Sequence, residues 1–397
     1  MLFDRPTVRL RPRPGRRSAA AGAPWSFTDE VVLDRRTKAI LPGTIATLES
    51  AEREPMGTVA VNPGSRIVLR HLDPDPSAEI DEAWLRSRLT RALELREVLF
   101  DAPFYRLVHA EADGLPGVII DRFGDAAVIQ PNAAWADLLV EALVSALQAV
   151  TGVTTVVVNG QGRARGLEGL PERMDILRGR VEAPIPVPMN GAVYMADLIG
   201  GQKTGLFFDQ RPNHAFAARL GRGRDVLDVF SHVGGFGLAA LAAGASSALA
   251  VDGSAAALEL AAQGAEAAGL SARFDTRRGD AFDTMAALAA EGARFGMVIC
   301  DPPAFAPSKA ALEPGLRAYE KVARLGASLV SPGGFLGLCS CSHAADLERF
   351  RAASLRGVAR ARRQGQILHV GGPGPDHPVH SALSETSYLK AIFLRLD

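Results

Sequence analysis

Residues 296–305 read Gly-Met-Val-Ile-Cys-Asp-Pro-Pro-Ala-Phe, GMVICDPPAF. The run Met297–Cys300 is apolar and short, as in a strand buried on both faces. It ends on Asp301. Pro302 and Pro303 have no amide donor and a fixed φ, so the strand stops there and the chain enters a rigid extended turn. Such a turn sets a carboxylate and backbone carbonyls as a wall against a planar ligand. A purely structural X-Pro-Pro turn is the competing reading.

Working outward, similar runs recur on both sides: DVLDVF (225–230), SALAVD (247–252), ARFDTRR (272–278) and GFLGLCS (334–340). Helical segments separate them, FGLAALAAG (236–244), AAALELAAQGAEAA (255–268) and ALEPGLRAYEKVARLGASLV (311–330). Strands alternating with helices predict an α/β fold with a parallel sheet covered on both faces. QGQILHV (364–370) and SYLKAIFLRLD (387–397) are two further strand candidates. This pattern begins near residue 189 and defines an expected domain of residues 189–397.

The earlier chain reads differently. GTIATLES (43–50), GTVAVNPGS (57–65) and SRIVLRHL (65–72) are β-rich runs broken by Gly, Pro and Asn, a small all-β domain over residues 1–72. DPDPS (73–77) is a breaker cluster and marks a boundary. Ile80, Trp84, Leu85, Leu89, Ala92, Leu93 and Leu95 then recur at helical spacing. FYRLVHAE (104–111) and GVIIDRFGDAAVIQ (117–130) read as strands, the second a hairpin turning near Phe123-Gly124-Asp125. WADLLVEALVSALQAV (135–150) is an amphipathic helix and TTVVVN (154–159) a buried strand. Residues 73–188 are expected to form a central α+β domain.

The 397 residues suit two or three domains, and 47% apolar with 22% charged residues is a globular composition. No apolar run is long enough to span a membrane, and the N-terminus lacks the apolar core of a secretory signal. Three cysteines cannot build a disulfide framework, which points to a reducing, cytoplasmic setting. The 44 basic and 44 acidic residues cancel, excluding a surface coated in positive charge but not a local basic patch. Arg5, Arg9, Arg11, Arg13, Arg16 and Arg17 crowd the N-terminus, either as a solvated arm or as a nucleic-acid contact.

In an open α/β sheet, ligands bind beyond the carboxyl ends of the strands. DVLDVF is followed by Ser231-His232-Val233-Gly234-Gly235-Phe236-Gly237, whose glycines permit close backbone approach and open a helix. SALAV is followed by Asp252, suited to the two hydroxyls of a ribose. Asp280 follows the third strand, where an adenine amino group can be held. The glycine spacing is not the dinucleotide fingerprint directly after a strand, which disfavours a nicotinamide-dependent oxidoreductase.

DVFSHVGGFGLAALAAGA, GQKTGLFFDQRPN, DPPAFAPSK, SCS and DHPV with SYLKAIF together resemble the bacterial ribosomal large-subunit RNA cytosine-C5 methyltransferases, class I S-adenosylmethionine enzymes. HAEADGLPGVIIDRFGD (109–125) resembles their central domain. The resemblance implies an N-terminal PUA-like β-barrel, a central α+β domain and a C-terminal Rossmann-like methyltransferase domain. It implies S-adenosylmethionine as cofactor, no metal, and RNA as partner: 23S rRNA, free or in an assembling large subunit, with a possible homodimer. It places Gln202, Lys203, Thr204, Gly205 and Arg211 beside the cofactor's methionine end and Phe207 at the pocket. Asp228, Phe230, Gly234 and Gly235 belong to the glycine loop's share of the site. Asp252 and Ser254 fall at the ribose, Asp280 and Ala281 at the adenine, and Asp301 at the wall.

Methylation at cytosine C5 requires a nucleophile that activates the ring by adding at C6. The fifth strand ends in Cys339-Ser340-Cys341-Ser342-His343, and Ser340-Cys341-Ser342 matches the family's motif around its nucleophile. Cys341 is therefore the expected nucleophile, with Asp301 hydrogen-bonded to the cytosine edge. Cys339 and Cys300 are expected to be packing residues. A metal site would have three ligands at best, in unsuitable strand geometry. The family's other branch places a second cysteine after the strand-four proline; here Pro303 and Ala304 stand there. His232, where relatives often have tyrosine, is expected at the pocket rim. Two alternatives remain: methylation of a guanine or adenine nitrogen, which needs no cysteine, and a non-catalytic RNA-binding or assembly factor.

Overall fold

The computed structural model describes residues 5–12, 22–201, 204–383 and 386–397. Gln202, Lys203, Arg13, Arg16 and Arg17 lie outside the described residues. The chain divides into two compact units: Met1–Glu182 with Leu198–Thr204 and Asp376–Thr386, and Ala183–Asp197 with Gly205–Pro375 and Ser387–Asp397. No helix among the described residues is long and apolar enough to cross a membrane.

The first unit contains two five-stranded sheets. One comprises β1 (Thr7–Arg9), β2 (Trp25–Phe27), β3 (Thr44–Glu49), β4 (Pro55–Val61) and β5 (Ile67–Asp73), in the order β1-β3-β4-β5-β2. Alternate residues such as Val59, Val61, Val68 and Leu48 form its core. β1 and β2 are three-residue strands with little periodicity to read. The other comprises β6 (Phe104–His109), β7 (Val118–Phe123), β8 (Ala126–Pro131), β9 (Thr155–Asn159) and β10 (Met174–Arg178), in the order β10-β9-β8-β7-β6. The helix Glu82–Leu99 starts where the Asp81 side chain accepts from Trp84 N. It buries Leu85, Leu89 and Ala92 in the same core as Leu143, Val144 and Leu147 of the helix Val140–Thr151. The β7–β8 hairpin turns at Gly124, whose φ is +66°.

The expected boundary after residue 72 falls at the end of β5, yet both sheets belong to one unit. Arg70 of β5 explains this. Its guanidinium spans Glu111 and Glu168 of the central region, at 3.0 Å each, and all three side chains are nearly buried. Trp25 Nε1 donates to the same Glu111 at 2.9 Å, and Asn62 Nδ2 to Glu168 at 3.0 Å.

The second unit opens with a hairpin, β11 (Ile185–Met189) and β12 (Ala192–Ala196), so the expected boundary at residue 189 falls inside β11. Asn190 and Gly191 both have positive φ, +54° and +76°, as a two-residue primed turn requires. Seven strands follow: β13 (Asp225–Val229), β14 (Ser247–Asp252), β15 (Phe274–Arg278), β16 (Phe295–Cys300), β17 (Val330–Ser340), β18 (Gly365–Gly371) and β19 (Lys390–Leu396). Their order is β15-β14-β13-β16-β17-β19-β18, with β13 to β17 mutually parallel and β19 antiparallel between β17 and β18. The chain runs outward from β13 to β15, then returns to β16 beside β13. That reversal opens a crevice at the carboxyl ends of β13 and β16. Every strand read from the sequence in this region is present. Three helices were not read: Arg211–Gly221, Ala281–Ala290 and Leu347–Arg360. The last contains Gly357, where a Cβ would lie 2.3 Å from the Glu320 carbonyl oxygen; the glycine serves close helix packing rather than a helix end.

Candidate active site

The loop after β13 is strained. Phe230, His232 and Gly234 have φ of +61°, +49° and +80°, and for a ring-bearing residue such a conformation is costly and must be held by its surroundings. Ser231 N donates to Val251 O at 3.0 Å and His232 N to Asp252 Oδ2 at 2.9 Å, anchoring the loop to β14. At Gly235 a Cβ would meet the His214 ring at 2.8 Å. The helix Gly235–Ala242 then begins, and Asp228 Oδ2 accepts from Phe236 N and Gly237 N at 3.2 and 2.8 Å. Burial pushes the Asp228 carboxyl up to about 7; those two amides oppose the shift, and the Asp252 charge adds to it. Asp228 Oδ1 and Ser231 Oγ are buried with no partner among the described residues. A polar ligand at this loop would satisfy them, so the site fits a group with donors and acceptors there.

Asp252 ends β14 with Oδ1 accepting from Ser254 N at 2.8 Å as Oδ2 accepts from His232 N. Both oxygens are thereby oriented, and each retains a lone pair. The Ser254 hydroxyl accepts from Ala257 N as the cap of the helix Ala255–Ala267. Asp280 caps the helix Ala281–Ala290, its Oδ1 accepting from Phe282 N and Asp283 N at 2.9 and 3.1 Å. Capping accounts for the presence of both residues before any ligand is considered. Ala281 is buried. Beside it, Phe230, Phe282 and Phe305 form a half-buried aromatic cluster with ring centroids 6.1 to 6.3 Å apart. Phe282 was not singled out from the sequence; its signal, an aromatic one residue into a helix, is not distinctive.

Asp301 leaves β16 with its amide donating to Val229 O at 3.1 Å. Its Oδ2 accepts from Gln210 Nε2 at 2.9 Å, and Gln210 Oε1 accepts from Asn213 Nδ2 at 2.6 Å. Gln210 lies within the GLFFDQR motif, where nothing in the sequence sets it apart from its neighbours. Phe207 of the same motif packs against His232, centroids 5.0 Å apart, which puts His232 and Phe207 together at the loop. The Arg211 guanidinium sits 5.4 Å from the Phe208 ring. Gly205 has φ +106°, and a Cβ there would lie 2.8 Å from Asp197 O. Thr204 falls in the first unit, where its buried hydroxyl donates to Asp121 Oδ2 at 2.6 Å, and Asp121 also receives the Arg106 guanidinium. The Thr204 hydroxyl proton is thus given to a carboxylate of the chain itself.

Cys341 stands just beyond β17 and is partly exposed, whereas Cys300 and Cys339 are buried, with burial pushing both thiols up. The serines on either side of Cys341 are fully buried and converge on one hydroxyl. Ser340 Oγ donates to Tyr319 Oη at 2.8 Å, and Tyr319 Oη lies 2.7 Å from Ser342 Oγ. Ser342 Oγ also accepts from Ala306 N at 2.9 Å. The end of β17 is therefore pinned to the turn that begins at Asp301.

Residues 142–361 match the family model of S-adenosylmethionine-dependent methyltransferases, and residues 8–74 match that of a PUA-like domain. Ribosomal RNA large subunit methyltransferase I of Pseudoalteromonas atlantica is 32% identical over 393 residues, covering 98% of this chain and 99% of its own. Its counterpart from Shewanella denitrificans is 34% identical over 399 residues, with coverage of 98% and 99%. Among solved structures, a protein of Streptococcus mutans described as an S-adenosylmethionine-dependent methyltransferase superposes with a TM-score of 0.81 at 19% identity, over 98% of this chain and 100% of that one. A methyltransferase complexed with S-adenosylhomocysteine gives 0.80 at 20% identity, over 98% and 99%. With the parallel sheet, its switch-point loop and the two matched domains in agreement, the chain belongs to the S-adenosylmethionine-dependent methyltransferases, in the family of ribosomal RNA large subunit methyltransferase I.

Proposed function

We propose that this enzyme methylates C5 of a cytosine in large-subunit ribosomal RNA through a transient bond to Cys341. The observation that supports this most directly is the setting of Cys341: the one partly exposed cysteine of three, tied through Ser342 to the Asp301 turn. S-adenosylmethionine supplies, when bound, an electrophilic methyl group on a sulfonium. Asp252 is suited to orient the ribose hydroxyls, Asp280, Ala281 and the Phe230–Phe282–Phe305 cluster to flank the adenine, and Asp228 Oδ1 with Ser231 Oγ to meet polar groups at the loop.

Cytosine C5 is a weak nucleophile. The Cys341 thiolate donates an electron pair to C6, forming an S–C6 bond and shifting the C5–C6 π pair toward C5 and the ring. Asp301, held by Gln210, accepts a hydrogen bond from the protonated N3 or the exocyclic amino group and stabilises that ring. Once C5 carries the methyl group, loss of the C5 proton to a base reforms the double bond as the S–C6 pair returns to sulfur. The base must leave its stack to reach the thiol, so unpaired or locally opened RNA is the substrate this chemistry requires. We read the PUA-like domain and the N-terminal arginines as backbone-binding elements, 23S rRNA, free or in an assembling subunit, as the target, and the cytoplasm as the setting, with a homodimer as the assembly the family likeness suggests.

The test uses RNA substituted with 5-fluorocytidine, which has no C5 proton to lose. The wild-type enzyme is expected to form a denaturant-resistant adduct at Cys341. C341A should form none and should not methylate normal RNA. Methylation by C341A would overturn the reading in favour of nitrogen methylation.

A further inference from the structure

Lys390, the first residue of β19, lies opposite Ser340 in the antiparallel ladder with β17. It is 7% exposed, unusual for a lysine. Its Nζ donates to Ser342 O and to Ala345 O, both at 2.7 Å. It has no carboxylate within ion-pairing distance among the described residues. A buried ammonium served only by two carbonyls is a poor bargain for stability, because desolvation is repaid by no opposite charge. The acid on the neighbouring loop, Asp346, is exposed, caps the helix Leu347–Arg360 and pairs with Arg349 at 3.6 Å. Cys341, next to the carbonyl that Lys390 grips, is the group there that the proposed reaction converts to an anion.

We propose that Lys390 is a positioning residue for the nucleophile: its ammonium, seated on the carbonyls of Ser342 and Ala345, fixes the segment around Cys341 and favours the thiolate at Sγ. The inference rests on the reading of Cys341 as nucleophile. The electrostatics agree in direction. Desolvation lowers the Lys390 pKa, while the Cys341 and Asp346 charges raise it; by reciprocity the ammonium favours the thiolate. Other described groups at this place include Tyr319, which reaches Ser340 and Ser342 and whose own ionisation the Cys341 charge disfavours, and the His343–Tyr388 ring pair at 5.5 Å. Lys390 gives up no proton at any step. Its charge makes sulfur more anionic before attack and a better leaving group after C5 has lost its proton.

The structure supplies a clean assay, because burial shields Cys300 and Cys339 from reagent. Full-length protein, without RNA or S-adenosylmethionine, is alkylated with iodoacetamide across a pH series, and the Cys341 peptide is followed by mass spectrometry. The wild-type midpoint is expected below the ordinary thiol value of about 8.5. K390M should raise the midpoint by about one unit or more, the scale of a nearby opposite charge, and K390R should stay near wild type. In methyl transfer, K390M should lower kcat with little change in KM for RNA. A wild-type midpoint at or above about 8.5 would overturn the proposal with no variant needed. An unshifted midpoint in folded K390M would do the same. If instead C341A still methylates RNA while the K390M shift appears, the nucleophile assignment has failed and the lysine–thiol coupling stands.

Discussion

Replacing Tyr319 by phenylalanine removes one oxygen from the centre of the second unit and leaves the packing intact. The ring stays between Phe305 and Phe350, with centroids 5.1 Å from each. Two hydrogen bonds disappear, those to Ser340 Oγ and Ser342 Oγ. At about 1 kcal/mol net for each, the loss is about 2 kcal/mol. Both serines keep a second contact, Ser342 with Ala306 N and Ser340 with Ser342 N, so the further penalty is confined to the Ser340 hydroxyl proton, which has lost its acceptor. A total of about 2–3 kcal/mol follows, equivalent to a roughly 30- to 150-fold change in an opening equilibrium. Tryptophan fluorescence would miss it, because Trp25, Trp84 and Trp135 all lie in the first unit. Hydrogen exchange of the β17 amides, Val330–Ser340, reads the right place. Those amides should lose protection in Y319F by that factor while β6 to β9 are unchanged, and methyl transfer should fall because Cys341 and Asp301 are no longer held in register. Unchanged exchange in β17 together with unchanged turnover would refute the claim that this hydroxyl aligns the two segments.

Asp228 makes stability pH-dependent. Its folded pKa of about 7 exceeds the ordinary 3.8, so between those values the folded state holds a proton that the unfolded state lacks. Its contribution is full below pH 3.8 and is lost as pH rises through about 7, with a ceiling on the order of 4 kcal/mol. D228N, whose carbonyl can still accept from Phe236 N and Gly237 N, should flatten the slope and gain on wild type at pH 8 relative to pH 5 in urea unfolding followed by circular dichroism. Q210E puts a second carboxylate where an amide holds Asp301; repulsion should raise the acidic limb of the pH–rate profile and lower turnover, whereas Q210A should lower turnover without that shift. G357A forces a methyl against the Glu320 carbonyl and the Ala323 side chain, at 2.3 and 2.7 Å, and should destabilise the second unit by about 1–3 kcal/mol in the same urea assay.

The central strands of the seven-stranded sheet, β13, β14, β16 and β17, were legible as short apolar runs, whereas the edge strands β15 and β18 are largely exposed and the β11–β12 hairpin was not read. The helix Leu347–Arg360 was obscured by its arginines and by Gly357, whose purpose appears only against Glu320. Asp252, Asp301 and Cys341 stand out in the sequence because a strand end and an adjacent turn mark them. Thr204 could not be interpreted, since its partner Asp121 lies 83 positions away. Lys390 was hidden for the same reason: it grips a carbonyl 48 positions earlier, and in the sequence it is one cation beside a strand. Ser254 and Asp280 show the converse difficulty, where a capping residue and a ligand contact have identical local signatures.

The three-way contact of Arg70 with Glu111 and Glu168 bears on how this architecture can be rearranged. A fragment beginning after residue 74 would lose, together with Arg70, the Trp25, Asn62 and Ser65 groups that hydrogen-bond these two carboxylates. The N-terminal sheet is thus no detachable cassette. Any graft or recombinant exchanging it would have to bring a guanidinium to the same spot, so the N-terminal sheet and the central sheet work as a matched pair.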